Sequence, residues 1–323
     1  MRIVFAGTPE PAVPALEALI ASEHEVVAVI TRPDARRGRG RSLHPSPVKE
    51  VALKQGIEVL TPSTLGTDTP DGQSLRTRLA ELAPEAIPVV AYGNLISADL
   101  LAVPTHGWVN LHFSLLPRWR GAAPVQAAIA AGDEYTGATT FRIDKGLDTG
   151  EVLRSLRMDI GKQDTADALL ERLAYAGANL LVETMDALGA GTANPVPQEG
   201  EATYAPKILP EDARIDWTQK AGDIDRHIRA HTPAPGAWTT WDNNRVKVGP
   251  VQPLSAATLS AHPQAAALHA LQPGQLLTTK QAVFLGTGDL PVELGQIQPP
   301  GKKMMLAADW ARGAVQDDEV TFA

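Results

Sequence analysis

The sequence predicts an α/β fold: a doubly wound, mostly parallel sheet followed by a small C-terminal β-barrel. Three observations carry this. Short apolar runs alternate with helical patterns from residue 2 to residue 188, the pattern of βαβ units. The composition then shifts to Gly, Pro and Ala over 191–197 and 200–210, as linkers do. Beyond it lie short apolar runs separated by Pro and Gly, spaced as in a small barrel.

In order, residues 2–6 form a buried strand, 11–21 a helix and 26–31 a second strand, which completes one βαβ unit. A helix over 47–55, a short strand over 57–60, a helix over 73–82 and strands over 86–91 and 108–112 extend it. A helix over 123–131, strands over 138–143 and 152–159, and a long helix over 165–188 follow. Right-handed crossovers make the sheet doubly wound. The boundary falls at Lys207, giving domains 1–206 and 207–323. In the second, 221–231 is an amphipathic helix, and 255–270, rich in Ala, Ser and His, reads as a loop insertion.

With 323 residues, 44% hydrophobic and 20% charged, the chain has the composition of a folded two-domain protein, not of a disordered one. The apolar opening run is broken by Gly7 and Pro9, too soon for a signal peptide, so a cytoplasmic location is expected. There is no cysteine, which excludes disulfides, thiolate metal sites and a cysteine nucleophile. The eight histidines show no HExxH-like pairing, and metal-free catalysis is expected. Nothing requires more than a monomer. The net charge of −8 argues against nucleic acid as a partner. Its distribution argues the other way: residues 32–41 hold five arginines against the single Asp34. Residues 207–323 carry 11 Lys and Arg against 12 Asp and Glu, close to neutral.

The chemistry concentrates in two segments. Asn110 and His112 stand two apart at the end of the 108–112 strand and therefore share a face, at the strand end where open α/β sheets bind ligands. An amide donor beside an imidazole suits acyl transfer, the amide for an oxyanion and the imidazole for proton exchange. On its own, an N-x-H reads more readily as a strand-end cap. The second segment, 144–150, sets Asp148 between Gly146 and Gly150 in a strand-to-strand turn. Asp-x-Gly is common in plain turns. An aspartic protease also carries Asp-Thr-Gly but needs two copies, and this chain has one.

Six motifs, in order along the chain, resemble the folate-dependent formyltransferases: VFAGTPE, TRPDARRGRGRSLHPSPVK, VVAYGNLI, NLHFSLLPRWRGAAPVQ, GLDTGEV and TYAPKILPEDARIDW. The resemblance implies that Asn110, His112 and Asp148 form the catalytic group. It implies a folate pocket lined by Tyr92, Gly93, Asn94, Leu95 and Ile96, by Ser114, Leu115, Leu116 and Pro117, and by the loop that begins at Asp144. It also implies 10-formyltetrahydrofolate as formyl donor and the α-amine of methionyl-initiator-tRNA as acceptor, in translation initiation. Arg36, Arg37, Arg39 and Arg41 would then enter the acceptor end of the tRNA. Lys207 would be the leading linker contact, and the resemblance implies that the C-terminal barrel is of the oligonucleotide-binding type. Phe113 stands where many relatives carry a small residue. On the same resemblance, a formyltransferase acting on a nucleotide sugar or a purine precursor, or a formylfolate hydrolase, is the nearest alternative. A non-catalytic RNA-binding protein is the alternative of another class. A nicotinamide enzyme is disfavoured because the turn after the first strand is Gly7-Thr-Pro-Glu rather than G-x-G-x-x-G.

Overall fold

The structure is a computed structural model, and it describes residues 1–37, 42–66, 68–314 and 321–323. Its first strand, β1 (Arg2–Gly7), is buried from Ile3 onward, because a strand inside a parallel sheet is covered on both faces. Each fully buried Ile or Phe there contributes about 1.5–3 kcal/mol. After β1 come α1 (Val13–Ile20), β2 (Glu25–Ile30), a hairpin of β3 (Ala35–Arg37) and β4 (Ser42–His44), α2 (Pro47–Lys54) and β5 (Glu58–Leu60). Then follow α3 (Pro70–Leu82), β6 (Ile87–Val90), α4 (Ala98–Leu101) and β7 (Trp108–His112). The two-residue β8 (Arg120–Gly121), α5 (Pro124–Ala131), β9 (Tyr135–Arg142), β10 (Val152–Asp159), α6 (Ala166–Gly189) and the two-residue β11 (Tyr204–Ala205) complete this half. Two of the helix starts are set chemically. Ser46 accepts the Lys49 N–H at 3.0 Å with Pro47 next in line, and Thr69 accepts the Gly72 N–H at 3.1 Å with Pro70 next.

The chain divides into two units: Met1–Pro124, Tyr135–Asp159 and Leu170–Tyr204 in the first, and Val125–Glu134, Ile160–Leu169 and Ala205–Ala323 in the second. The first is built on a seven-stranded sheet of order β10-β9-β7-β6-β1-β2-β5. β7, β6, β1, β2 and β5 are parallel. β9 runs antiparallel on β7, and β10 antiparallel on β9, so the sheet is mostly parallel with one antiparallel edge. From β1 the chain winds outward to β2 and β5, then resumes at β6 on the other side of β1. That reversal is the switch point at which open α/β sheets leave a crevice for ligands.

In the second unit, α7 (Ala221–Ala230) precedes β12 (Trp238–Trp241), β13 (Asn244–Val248) and β14 (Val251–Pro253). After α8 (Ala256–Ala261) and α9 (Ala265–Ala270) come β15 (Leu276–Thr278), β16 (Val283–Leu285), β17 (Val292–Leu294), β18 (Gln296–Gln298), β19 (Met305–Leu306) and α10 (Ala307–Ala314). The strands form two four-stranded antiparallel sheets, β12-β13-β18-β19 and β14-β17-β16-β15. Val246, Val283, Leu285, Val292 and Ile297 share one core with Ile224 and Ile228 of α7.

Residues 255–270 correct the sequence reading: they are α8 and α9, not a loop. Ser255 caps α8 by accepting the Thr258 N–H at 3.0 Å, and Leu259 and Leu268 bury themselves against Leu254 and Phe284. The intervening His-Pro at 262–263 breaks the helical run and hides it from a periodicity reading. No described helix is long and apolar enough to cross a membrane.

Candidate active site

β7 brings Asn110 and His112 to one face of the sheet, with His112 buried and Asn110 half-buried. Asn110 pairs with Val89 of β6 on one side and Phe141 of β9 on the other, so its backbone is fixed by both neighbours. Its side-chain amide makes no hydrogen bond to another described residue. The His112 ring meets Phe141 edge-on at 6.5 Å.

Asp148 reaches this face from the β9–β10 connection, with Oδ2 3.8 Å from His112 Nδ1. Its backbone sits in the left-handed region at φ 51°, a conformation an Asp tolerates better than most residues. Oδ2 accepts the Gly121 N–H at 2.7 Å, a charge-assisted bond worth about 1.5–3 kcal/mol. At the start of the same connection, Asp144 Oδ1 accepts from the Gly146 N–H at 2.9 Å and the Thr149 hydroxyl at 2.6 Å, which closes the turn on itself. Gly150 is required at its end, because a Cβ there would lie 1.7 Å from the Arg142 carbonyl oxygen.

His112 Nε2 lies 2.8 Å from the Trp119 carbonyl oxygen. A carbonyl only accepts, so Nε2 carries the hydrogen. Burial outweighs the raising effects of Asp148 and that carbonyl, and holds the imidazole below its ordinary value. The resting ring is therefore neutral, and the lone pair on Nδ1 faces the Asp148 carboxylate across a gap too long for a direct bond. The neutral ring is a proton acceptor whose protonated form would be held between a carboxylate and a carbonyl.

The segment after β7 folds back on itself. The Ser114 hydroxyl donates to the Arg118 carbonyl at 2.6 Å, and the Arg118 N–H to the Leu115 carbonyl at 3.0 Å. Thr139 of β9 pins it by donating to the Ser114 carbonyl at 2.7 Å and accepting the Leu116 N–H at 3.3 Å. The turn ends at Trp119, φ 61°, whose carbonyl is thereby aimed at His112. Pro117 lies within this turn, and the neighbouring Phe113 is buried.

Residues 92–96 follow β6, beside the segment that follows β7. Tyr92 is buried, which pushes its phenol up; its carbonyl accepts from the Thr8 hydroxyl at 3.4 Å and its hydroxyl from the Asn94 amide at 3.5 Å. Gly93 takes φ 84°, Ile96 packs on the core, and Leu95 is 95% exposed. Leu147 of the β9–β10 connection is also exposed.

The arginine-rich segment is a hairpin at its ends. Arg36 pairs with Leu43 and Arg37 with Ser42, while Arg39 and Arg41 lie outside the described residues. Arg36 and Leu43 are exposed, and Lys49 occupies Asp34 at 2.7 Å, which neutralises the segment's only acid. Lys207 is exposed and belongs to the second unit.

Sequence reasoning missed three contributors to the site. Trp119 acts through its carbonyl, a role no side-chain pattern signals. Gln198 donates its amide to the carbonyls of Asp148 at 2.7 Å and Gly150 at 2.9 Å. Thr203 accepts the Trp119 N–H at 2.9 Å through its hydroxyl. Gln198 lies between the two stretches that read as linker and carries no signal of its own; Thr203 opens the TYAPKI motif, the one signal that could have found it.

Comparison with known proteins adds the following. A family model described as formyl transferase matches residues 1–185, and one described as formyl transferase, C-terminal domain, matches residues 207–315. A methionyl-tRNA formyltransferase of Corynebacterium aurimucosum is 70% identical over 313 residues, 97% of this chain and 94% of the relative. Among solved structures, a methionyl-tRNA formyltransferase from Clostridium thermocellum aligns with TM-score 0.53 at 18% identity, covering 78% of this chain and 93% of its own. WlaRD, a sugar 3N-formyl transferase crystallised with dTDP and 5-N-formyl-THF, aligns with TM-score 0.66 at 18% identity over 94% of this chain and 99% of its own. Both likenesses establish the fold and leave the acceptor open.

Proposed function

The chain belongs to the formyl transferase family, in its N-terminal and its C-terminal parts alike, and from that premise we propose that it transfers the formyl group of 10-formyltetrahydrofolate to the α-amine of methionyl-initiator-tRNA. It thereby serves translation initiation in the cytoplasm. The observation that carries the reading is the 70% identity to a methionyl-tRNA formyltransferase, sustained over 97% of the chain. The sheet alone is equally compatible with a sugar acceptor.

The free amine attacks the formyl carbon, and negative charge develops on the formyl oxygen. The unengaged Asn110 amide donates to that oxygen, a contribution of about 3 kcal/mol for a preorganised donor. The attacking nitrogen must lose a proton, and His112 Nδ1 accepts it, directly or through one water. The imidazolium so formed is stabilised by Asp148 at 3.8 Å and by the Trp119 carbonyl at 2.8 Å. Nδ1 then returns the proton to the departing folate nitrogen. No covalent enzyme intermediate is needed. Tyr92, Gly93, Asn94, Leu95 and Ile96, with Ser114, Leu115, Leu116, Pro117 and Asp144, flank these groups and would hold the folate, largely through backbone atoms. Exposed Leu95 and Leu147 offer apolar surface to its ring system.

Residues 1–206 serve as the catalytic domain and 207–323 as the tRNA-binding domain. The hairpin, with Arg36 exposed beside Leu43, and the arginines at 37, 39 and 41 follow the tRNA phosphates near the acceptor end. Lys207 adds a contact at the linker.

The test is formyl transfer from 10-formyltetrahydrofolate to methionyl-initiator-tRNA by the intact protein, Asn110→Ala and His112→Ala. Activity in the intact protein with a loss of about a hundredfold or more in each variant is expected. Turnover of formylfolate with water or a sugar nucleotide and none with tRNA would keep the site and overturn the acceptor.

A further inference from the structure

Once α6 has ended, the chain does not leave the first unit at once. Val196 bridges to Val152 at the start of β10, with mutual N–H to carbonyl bonds of 2.8 and 2.9 Å. Two residues later, Gln198 is the hub of a three-way contact. Its amide hydrogens go to the carbonyls on either side of Thr149, and its Oε1 accepts from Arg120 Nε at 3.1 Å and from the guanidinium NH2 at 2.7 Å. Arg120 directly precedes Gly121, whose N–H holds the Asp148 carboxylate. Gln198 thus holds the Asp148 backbone directly, and through Arg120 it steadies the stretch whose next N–H holds the carboxylate.

Thr203 grips the other partner of the site. Its N–H donates to the Pro117 carbonyl at 3.3 Å, its carbonyl accepts the Arg120 N–H at 2.9 Å, and its hydroxyl accepts the Trp119 N–H at 2.9 Å. These three bonds bracket the one peptide whose carbonyl fixes His112 Nε2. Trp119 sits at positive φ, which a bulky residue holds only when its surroundings over-determine it.

We propose that residues 196–203 are a strap that aligns the catalytic pair, with Gln198 positioning Asp148 and Thr203 positioning His112 through the Trp119 carbonyl. The inference rests on the catalytic assignment made above. The stretch is thus part of the site and not merely a tether to the second unit. Its effect falls on kcat, because the groups it aligns act on the reacting atoms, and a small misplacement of such groups costs rate steeply.

Thr203→Val removes only the hydroxyl and leaves both backbone bonds of Thr203. Thr203→Ser keeps the hydroxyl. Gln198→Glu keeps the size and the acceptor for Arg120, but sets an oxygen against the two loop carbonyls. The expectation for Thr203→Val and Gln198→Glu is a fall in kcat of about tenfold or more, with KM for tRNA and formylfolate within about twofold; Thr203→Ser recovers most of the rate. Long-range 1H–15N NMR of the histidine-labelled full chain, with the His112 signal identified by its loss in His112→Gln, supplies the second readout. The Nε2–H tautomer is expected in the parent and in Thr203→Ser, and a mixture of tautomers in Thr203→Val. Parent-like kcat in both altered variants, or an undisturbed Nε2–H tautomer in Thr203→Val, would overturn the strap. If the parent fails to formylate tRNA, the functional reading falls, while the tautomer comparison still decides the strap.

Discussion

Asp148 has two effects on its neighbour that point to opposite experimental signatures. Its charge favours the imidazolium, so it aids proton acceptance and it raises the His112 value that burial lowers. The base form is the active one, so kcat should fall on the acid side with a midpoint below the ordinary 6.5. In Asp148→Asn the raising charge is gone. The rate should drop, yet the acid midpoint should move further down, as a pH–rate profile would reveal; a midpoint moving up would exclude the assignment. Gly150→Ala offers a steric counterpart. Its new methyl collides with the Arg142 carbonyl, the backbone must shift, and a loss of about a hundredfold in kcat is expected from steady-state assay. Asn110 and His112 were legible as a pair because spacing on a strand fixes a face, whereas Asp148, in a turn, was marked only by the resemblance of its motif. Gln198 and Thr203 were not legible. Their hydrogen bonds reach back 78 and 84 positions along the chain, and a polar side chain bonded to backbone leaves no period in the sequence.

At the scale of elements, the hairpin β3–β4 carries the clearest consequence. If its arginines follow phosphates, replacing Arg36, Arg37, Arg39 and Arg41 with Ala should raise KM for tRNA several-fold and weaken its salt dependence, with kcat on saturating tRNA little changed. An unchanged KM across a salt series would remove the hairpin from the interface. The strands of the seven-stranded sheet were legible to within a few residues, because burial on a sheet imposes a continuous apolar run, and α2 and α3 start at Ser or Thr followed by Pro; the short β3, β4, α4, β8 and β11 were not read. α8 and α9 escaped for the converse reason. With six residues each, they are too short for a period to declare itself, and each buries one principal leucine. The antiparallel edge formed by β9 and β10 was also unread in direction, since strand polarity depends on the length and course of a connection and not on its pattern.

Among the described residues, three histidines are held below 6.5 by burial: His24 and His112 in the first unit and His227 in the second. Each binds its proton less readily folded than unfolded. Their contribution is therefore intact above about pH 6.5 and is lost as pH falls toward the folded values. Tm should decline between about pH 7 and pH 5, and His227→Gln should flatten that decline; a pH-independent Tm would contradict the burial reading. Val125–Glu134 and Ile160–Leu169 precede the linker in sequence yet belong to the second unit, where Arg229 donates to the Asp164 carbonyl at 3.0 Å. A gene cut at codon 206 would therefore sever no single hinge. It would strip two segments of their partners, so the two halves are expected to be inherited, expressed and shuffled only as one piece.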